Sequence, residues 1–135
     1  MPEVELRFPG GYKTSSMTYG FEVRTDYPEY LGGENSAPAP WDLFLVSLTA
    51  CQGIHIRTWC AENGIPTDGI RLTLDQTASK GDPNRFTDFD LNIYLPADFP
   101  EDKKEGLLAA ARSCRVVKHL TEHPVRVNQH IIAQK

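Results

Sequence analysis

After Pro40 and up to Asn63 the chain carries no proline, and its one glycine there is Gly53. The stretch ending at Pro40, TDYPEYLGGENSAPAP, is by contrast dense in proline, glycine and asparagine and must be a loop around at most a short strand. Within the glycine-poor stretch Leu43, Val46, Ala50, Ile54 and Trp59 roughly follow helical spacing, with further apolar residues off that stripe. Pro40 suits a first helical turn, Asp42 suits the positive end of the helix dipole, and Gly64 suits the position just past the end. The spacing therefore predicts one long helix. Its Leu43–Val46 stretch is apolar nearly all round, which predicts burial on more than one side.

The flanking segments have the period of strands. Val4 to Phe8 alternates charged and apolar residues until Gly10 and Gly11 break it, and Met17 to Arg24 (MTYGFEVR) reads as a second strand. Gly69 to Ser79 and Phe86 to Leu95 alternate on either side of KGDPNR, whose residues favour turns, so they predict a hairpin. Pro100-Glu101-Asp102 opens a second helix running to about Arg112, and a short helical piece follows from Cys114 to about His123. Pro124 stops it, and Val125 to Ala133 reads as a last strand. Strands, helix, strands, helices and strand in that order give an α+β class.

A chain of 135 residues fits one domain, taken as residues 1–135, and is long enough to fold without disulfides. The net charge of −4 and the lack of any basic run argue against a nucleic-acid partner. The charged N-terminus MPEVELRFPGG has no apolar signal core, and the apolar stretches fall short of a membrane span. A cytoplasmic protein is the expectation. In such a reducing compartment three cysteines point to core residues, metal ligands or reactive thiols and not to a disulfide scaffold.

Cys51 falls in the middle of the long helix. Cys60 lies on the opposite face, about 13 Å further along the axis, whereas a disulfide needs Cα atoms roughly 4.4–6.8 Å apart. While that helix is intact, the one intramolecular partner left for Cys51 is Cys114. Ordinary core packing competes as an explanation of Cys51, and it is the preferred one for Cys60 beside Trp59. Cys114 stands between Arg112 and Arg115 with Lys118 a turn on, at the start of a helical piece; positive charge and a helix N-terminus both lower a thiol pKa. A zinc site is the competing use of these residues, since His55 follows Cys51 by four and His119 and His123 follow Cys114. No C-x-x-C or H-E-x-x-H motif supports it, so no metal is expected, and His119 and His123 are read as helix-end residues. No G-x-S-x-G elbow, P-loop or dinucleotide fingerprint occurs.

GGENSAPAPWDLFLVSLTAC, with its glycine-rich loop, Pro-x-x-Leu helix start and mid-helix cysteine, resembles the OsmC/Ohr family. Gly64-Ile65, the strand pair and SCRVVKHL around Cys114 follow in the family's order, so the resemblance covers nearly the whole chain. The resemblance implies an intertwined homodimer, with two sheets around paired central helices and active sites at the subunit interface. It implies a peroxidatic role for Cys51 and a resolving role for Cys114. It further implies organic hydroperoxides as substrates, dithiols such as lipoyl groups as reductants, a place in oxidative-stress defence, and no metal or flavin cofactor.

The supporting residues depart from the family pattern. Trp41 stands where the family has its carboxylate, with Asp42 beside it, and Tyr12 and Lys13 follow the Gly10-Gly11 pair where the family has its arginine. Asp42 and Lys13 are the expected replacements, with Arg57 and Arg115 as further candidates for the cation. The alternative is a binding protein that keeps the dimer and an apolar interface cleft, with Trp41, Phe44 and Trp59 lining it; core packing is the commoner use of such aromatics.

Overall fold

The computed structural model describes residues 2–134. Two compact units divide the chain, one up to Val46 and one from Ser47 onward, and the long helix α1 (Pro40–Glu62) gives its first turns to one and its remainder to the other. The architecture is α+β with antiparallel sheets, as the sequence pattern predicts.

The first unit is built on strands β1 (Glu5–Gly10), β2 (Lys13–Thr18) and β3 (Phe21–Thr25), hydrogen-bonded antiparallel in that order. The expected single strand from Met17 to Arg24 is in fact the end of β2, a turn, and β3. Thr18 pairs with Phe21, leaving Tyr19 (φ 47) and Gly20 (φ 86) as a two-residue loop with both φ positive. That geometry matches the twist of a hairpin, and a tyrosine at the position where asparagine or glycine is usual disguises it in the sequence. The loop after β3 holds a 3-10 turn at Glu29–Leu31 and no further strand.

One buried carboxylate organises this loop. Asp26 is 1% exposed and accepts hydrogen bonds from the backbone N–H groups of Tyr27 (2.7 Å), Glu34 (3.3 Å) and Ser36 (3.1 Å) and from the Ser36 hydroxyl (2.6 Å). The Ser36 hydroxyl does most to favour the charged form; with the three N–H groups it overcomes the cost of burial and brings the carboxyl down to about 2. Tyr12 stacks on Tyr27, ring centroids 5.6 Å apart.

In the second unit β4 (Arg71–Ser79) and β5 (Asp82–Tyr94) form a long hairpin. Its turn is Lys80-Gly81 alone, with Gly81 at φ 88, so the strands run closer to the tip than KGDPNR suggests. Register shifts around Ala78 absorb the extra length. A 3-10 turn at Glu101–Lys103 leads into α2 (Lys104–Arg112), and α3 (Arg115–Thr121) follows.

The buried stripe of α1 is Leu48, Gln52, Ile56 and Cys60, spaced by four. The stripe expected from the sequence lies on another face, where Val46 and Ile54 remain 59% and 67% exposed. Ile56 and Cys60 pack with Phe99, Leu107 and Ala111, and Trp59, Ile70, Leu72 and Ile93 close around them. A Cβ at Gly106 would come within 2.8 Å of the Trp59 ring, so α2 meets Trp59 through its bare backbone. Trp59 is therefore used for packing.

Val125–Ala133 is not a strand. Among the described residues it joins no ladder, and Ile131 is fully exposed. Alternating side chains suit a strand, but hydrogen bonding to a neighbouring edge makes one.

Candidate active site

Cys51, half-buried at mid-α1, faces the start of α3, where Cys114 is the N-cap residue. The turn between α2 and α3 sets the position of Cys114. The Ser113 hydroxyl donates to the Ala110 carbonyl (2.6 Å), and the same oxygen lies 3.3 Å from Nδ1 of His55, one helical turn beyond Cys51. With its proton committed to Ala110, Ser113 Oγ takes the acceptor role toward His55. The Cys114 sulfur, with no exposed surface, accepts from the Val117 N–H at 3.5 Å, taking the place a serine or aspartate oxygen fills in most helix caps.

The two thiols are within hydrogen-bonding reach of each other, and their environments push them apart. Burial raises the Cys51 thiol. The Cys114 thiol, the N–H groups of Val116 and Arg115 and the Arg115 charge all favour the thiolate, and together they carry Cys51 below its ordinary value. Cys114 goes the other way: burial raises it, and its bond and charge interaction with Cys51 raise it further, against the N–H groups of Val117 and Val116. The sequence suggested that the basic surroundings and helix start would lower Cys114. Helix N–H groups act on both thiols: with the Arg115 charge they outweigh burial at Cys51, whereas burial and the interaction with Cys51 outweigh them at Cys114. Of the two, Cys51 is the thiol that ionises more readily and Cys114 the one that holds its proton more tightly.

Arg115 is the cation that acts on Cys51. Arg57 acts on Cys60, which is 0% exposed in the core and whose thiol is raised by burial. Lys13 makes an ion pair with Glu34 (3.0 Å) within the first unit. Asp42 accepts from the Ala39 N–H at 3.1 Å, the carboxylate half of a capping box at the start of α1. Trp41 and Phe44 stack on each other with centroids 4.9 Å apart. Among the described residues no three His, Cys, Asp or Glu side chains gather where they could hold a metal ion. The Ser113–His55 contact and the amides of Arg115 and Val116 escaped sequence reasoning. His55 was visible only as the residue four after Cys51, and a backbone amide carries no sequence signal.

A cleft of about 510 Å³ in the second unit is lined by Leu48, Gln52, Leu74, Phe89, Val117 and Leu120, with Thr87, Asp88 and Thr121 as its polar members, and neither cysteine lines it. Gln52 neighbours Cys51, and Val117 is the residue whose N–H holds the Cys114 sulfur. Among the described residues no helix is long and apolar enough to cross a membrane.

Comparison with curated protein sequences gives no match. Solved structures share the fold. A candidate osmotic stress induced and detoxification response protein from Psychrobacter arcticus 273-4 is 23% identical, with TM-score 0.74 over 92% of this chain and 90% of that one. The Legionella pneumophila organic hydroperoxide resistance protein OsmC is 21% identical with TM-score 0.56, over 88% of each chain. Bacillus subtilis OhrB, an organic hydroperoxide resistance protein, is 21% identical with TM-score 0.55, over 88% of this chain and 89% of that one. At such identities the likeness is one of fold. The OsmC-like protein family model matches residues 33–130, from the loop ahead of α1 to the segment beyond α3, and the chain belongs to that family.

Proposed function

We propose that this protein is a two-cysteine thiol peroxidase for organic hydroperoxides, with Cys51 peroxidatic and Cys114 resolving. The observation that carries this is the thiol pair itself: a half-buried Cys51 at mid-α1 facing a buried Cys114 at the cap of α3, with Cys51 the more readily ionised of the two. The Cys51 thiolate attacks the distal oxygen of ROOH. The O–O bond breaks, Cys51 becomes the sulfenic acid, and the alkoxide leaves as alcohol after taking a proton. The Cys114 sulfur then attacks the Cys51 sulfur. Its proton and the sulfenic hydroxide leave as water, and the disulfide forms. A dithiol returns two electrons: one of its thiolates opens the disulfide, and the second displaces the protein sulfur to close its own ring.

Arg115 and the first amides of α3 supply the positive field that the thiolate needs. Such a field offsets the lack of the family's usual arginine after Gly10-Gly11 and carboxylate at the position of Trp41. Lys13 and Asp42 then serve the loop and the helix start, where their partners are. The cleft that Val117 lines, with Leu48, Leu74, Phe89 and Leu120 as its apolar wall, suits the organic part of the hydroperoxide. One equivalent of cumene hydroperoxide is expected to convert the reduced protein to a Cys51–Cys114 disulfide, read by peptide mass mapping. Recovery of both thiols unmodified, with the peroxide intact, would leave the binding-protein alternative, in which the same cleft holds a ligand without turnover.

A homodimer is part of this proposal. Val46 and Ile54, 59% and 67% exposed, put an apolar face along α1 that one copy leaves in water. Ile54→Glu is expected to weaken self-association by about thirtyfold or more, measured by sedimentation equilibrium. A wild-type chain that sediments as a monomer at micromolar concentration would rule the dimer out.

A further inference from the structure

The cleft of about 510 Å³ has its floor on α1, where Leu48 and Gln52 are 4% and 9% exposed. Leu74, Phe89 and Leu91 of the hairpin and Val117 and Leu120 of α3 make its walls, while Thr87, Asp88 and Thr121 stand at its exposed edge. Its polar groups share one property, which is that their donors are largely spent. The Thr87 hydroxyl donates to the Asp88 carboxylate (2.9 Å) and the Thr121 hydroxyl to the Val117 carbonyl (2.9 Å). At the floor an N–H of the Gln52 amide donates to the Leu48 carbonyl (3.3 Å). Lone pairs remain on both hydroxyls, on Asp88 and on Gln52 Oε1, and the second N–H of Gln52 is the one side-chain donor left over. No lysine, arginine or histidine is in the lining. Among the described residues Gln52 Oε1 has no hydrogen-bond partner, and no buried side-chain oxygen or nitrogen is sealed off without one. Oε1 therefore keeps some open surface, and the cleft is where so buried a residue has it.

We propose that this cleft binds a neutral, chain-like molecule that carries a hydroxyl group, the chain lying against Leu48, Leu74, Phe89 and Val117 and the hydroxyl donating to Gln52 Oε1. An entering chain displaces water from the floor, so a ligand that cannot donate leaves a buried acceptor unpaired. A carboxylate brings acceptors to a lining made of acceptors, and its charge meets that of Asp88. An ammonium would donate as well, but desolvating its charge at the floor costs far more than desolvating a hydroxyl. The binding uses neither cysteine. Only its extension to a substrate rests on the peroxidase reading: the preferred hydroperoxide is then neutral and hydroxylated along its chain, in preference to one derived from a fatty acid.

Octan-1-ol and 1-methoxyheptane are isomers, the first with a hydroxyl proton and the second without, and octanoate adds the charge. Each is titrated into the full-length, reduced, nitrogen-15-labelled protein, following the Gln52 side-chain amide and the Val117 backbone amide by NMR. Octan-1-ol is expected to bind roughly three- to tenfold more tightly than 1-methoxyheptane, and octanoate more weakly than either. Gln52→Leu is expected to bring the alcohol and the ether to within about twofold of each other, with retained ether binding reporting an intact cleft. Equal wild-type affinities for the two isomers, tighter binding of octanoate, or shifts that leave Gln52 and Val117 unmoved would each overturn the site. So would a preference for the alcohol that survives Gln52→Leu. The wild-type ranking decides even if that variant folds poorly. A protein that ranks the three as expected but forms no disulfide with cumene hydroperoxide keeps the site and loses the peroxidase reading, whereas equal affinities lose the site and leave that reading standing.

Discussion

Cys51→Ser is expected to lower hydroperoxide consumption by about a thousandfold or more, because a serine hydroxyl stays protonated where the thiol ionises and the nucleophile is lost. Cys114→Ser should behave differently. Its first turnover survives, since Cys51 still has the Arg115 charge and the amides of Arg115 and Val116. With no thiol to condense with, the Cys51 sulfenic acid persists and a second equivalent of peroxide carries it to sulfinic acid. Stopped-flow consumption of cumene hydroperoxide with a lipoyl dithiol, followed by intact mass, separates the two. The pH dependence has a definite sign. Since Cys51 is held below its ordinary pKa, the rate of the first step should rise with pH and level off below the range of a free thiol. Arg115→Gln should move that midpoint upward. Turnover by Cys51→Ser at the wild-type rate would end the proposal, whichever residue then proved responsible.

The elements whose ends carry a chemical signal could be placed from sequence. Pro40 and Gly64 bracket α1 closely, with Gly64 at φ 65, because proline tolerates a first turn and glycine tolerates the left-handed position after a last one. The buried face of α1 was not legible. Apolar residues lie on two sides of this helix, and its period says that a face is buried without saying which. Gln52 and Cys60 belong to the face that is covered within the chain, and a glutamine at a core position carries no apolar signal. Its amide is satisfied by the Leu48 carbonyl one turn back, at 3.3 Å. The hairpin hidden in MTYGFEVR failed for a local reason, the tyrosine at positive φ, and the final strand failed for a tertiary one, the missing edge.

For the candidate site, the sequence narrowed the partner of Cys51 to Cys114 from helix geometry, and the fold brings those thiols within hydrogen-bonding reach. The polarity of the pair was out of reach. It depends on how burial weighs against the N–H groups at each sulfur and on the Arg115 charge at Cys51, and these follow from where the turn held by Ser113, His55 and Ala110 sets the start of α3. Lys13 and Asp42 come first in the sequence, with Arg57 and Arg115 as further candidates for the cation. Charge type alone does not separate the three cations, whereas position assigns each a partner.

Gly33→Ala is expected to cost about 2–4 kcal/mol of stability, read as a fall in Tm and as loss of amide protection across residues 26–36. A Cβ at Gly33 would lie 2.0 Å from the Tyr27 carbonyl oxygen and 2.5 Å from its carbon. These are backbone atoms, so no rotamer change relieves the clash. Nor can Tyr27 retreat cheaply: its carbonyl accepts from the Asn35 N–H at 2.9 Å and its own N–H donates to the buried Asp26. Moving it would pull on the carboxylate that gathers Glu34 and Ser36 and, through Glu34, on the ion pair with Lys13. Gly32→Ala should be milder. At φ 93 it is strained, but the closest atom is Tyr12 Cε2 at 2.9 Å, part of a side chain 59% exposed that has room to swing. The two glycines of GGENS thus do different work, the first supplying a backbone conformation and the second an absence of volume. If Gly33→Ala melts with the wild type while Gly32→Ala does not, the loop is closed by something other than the contact with Tyr27.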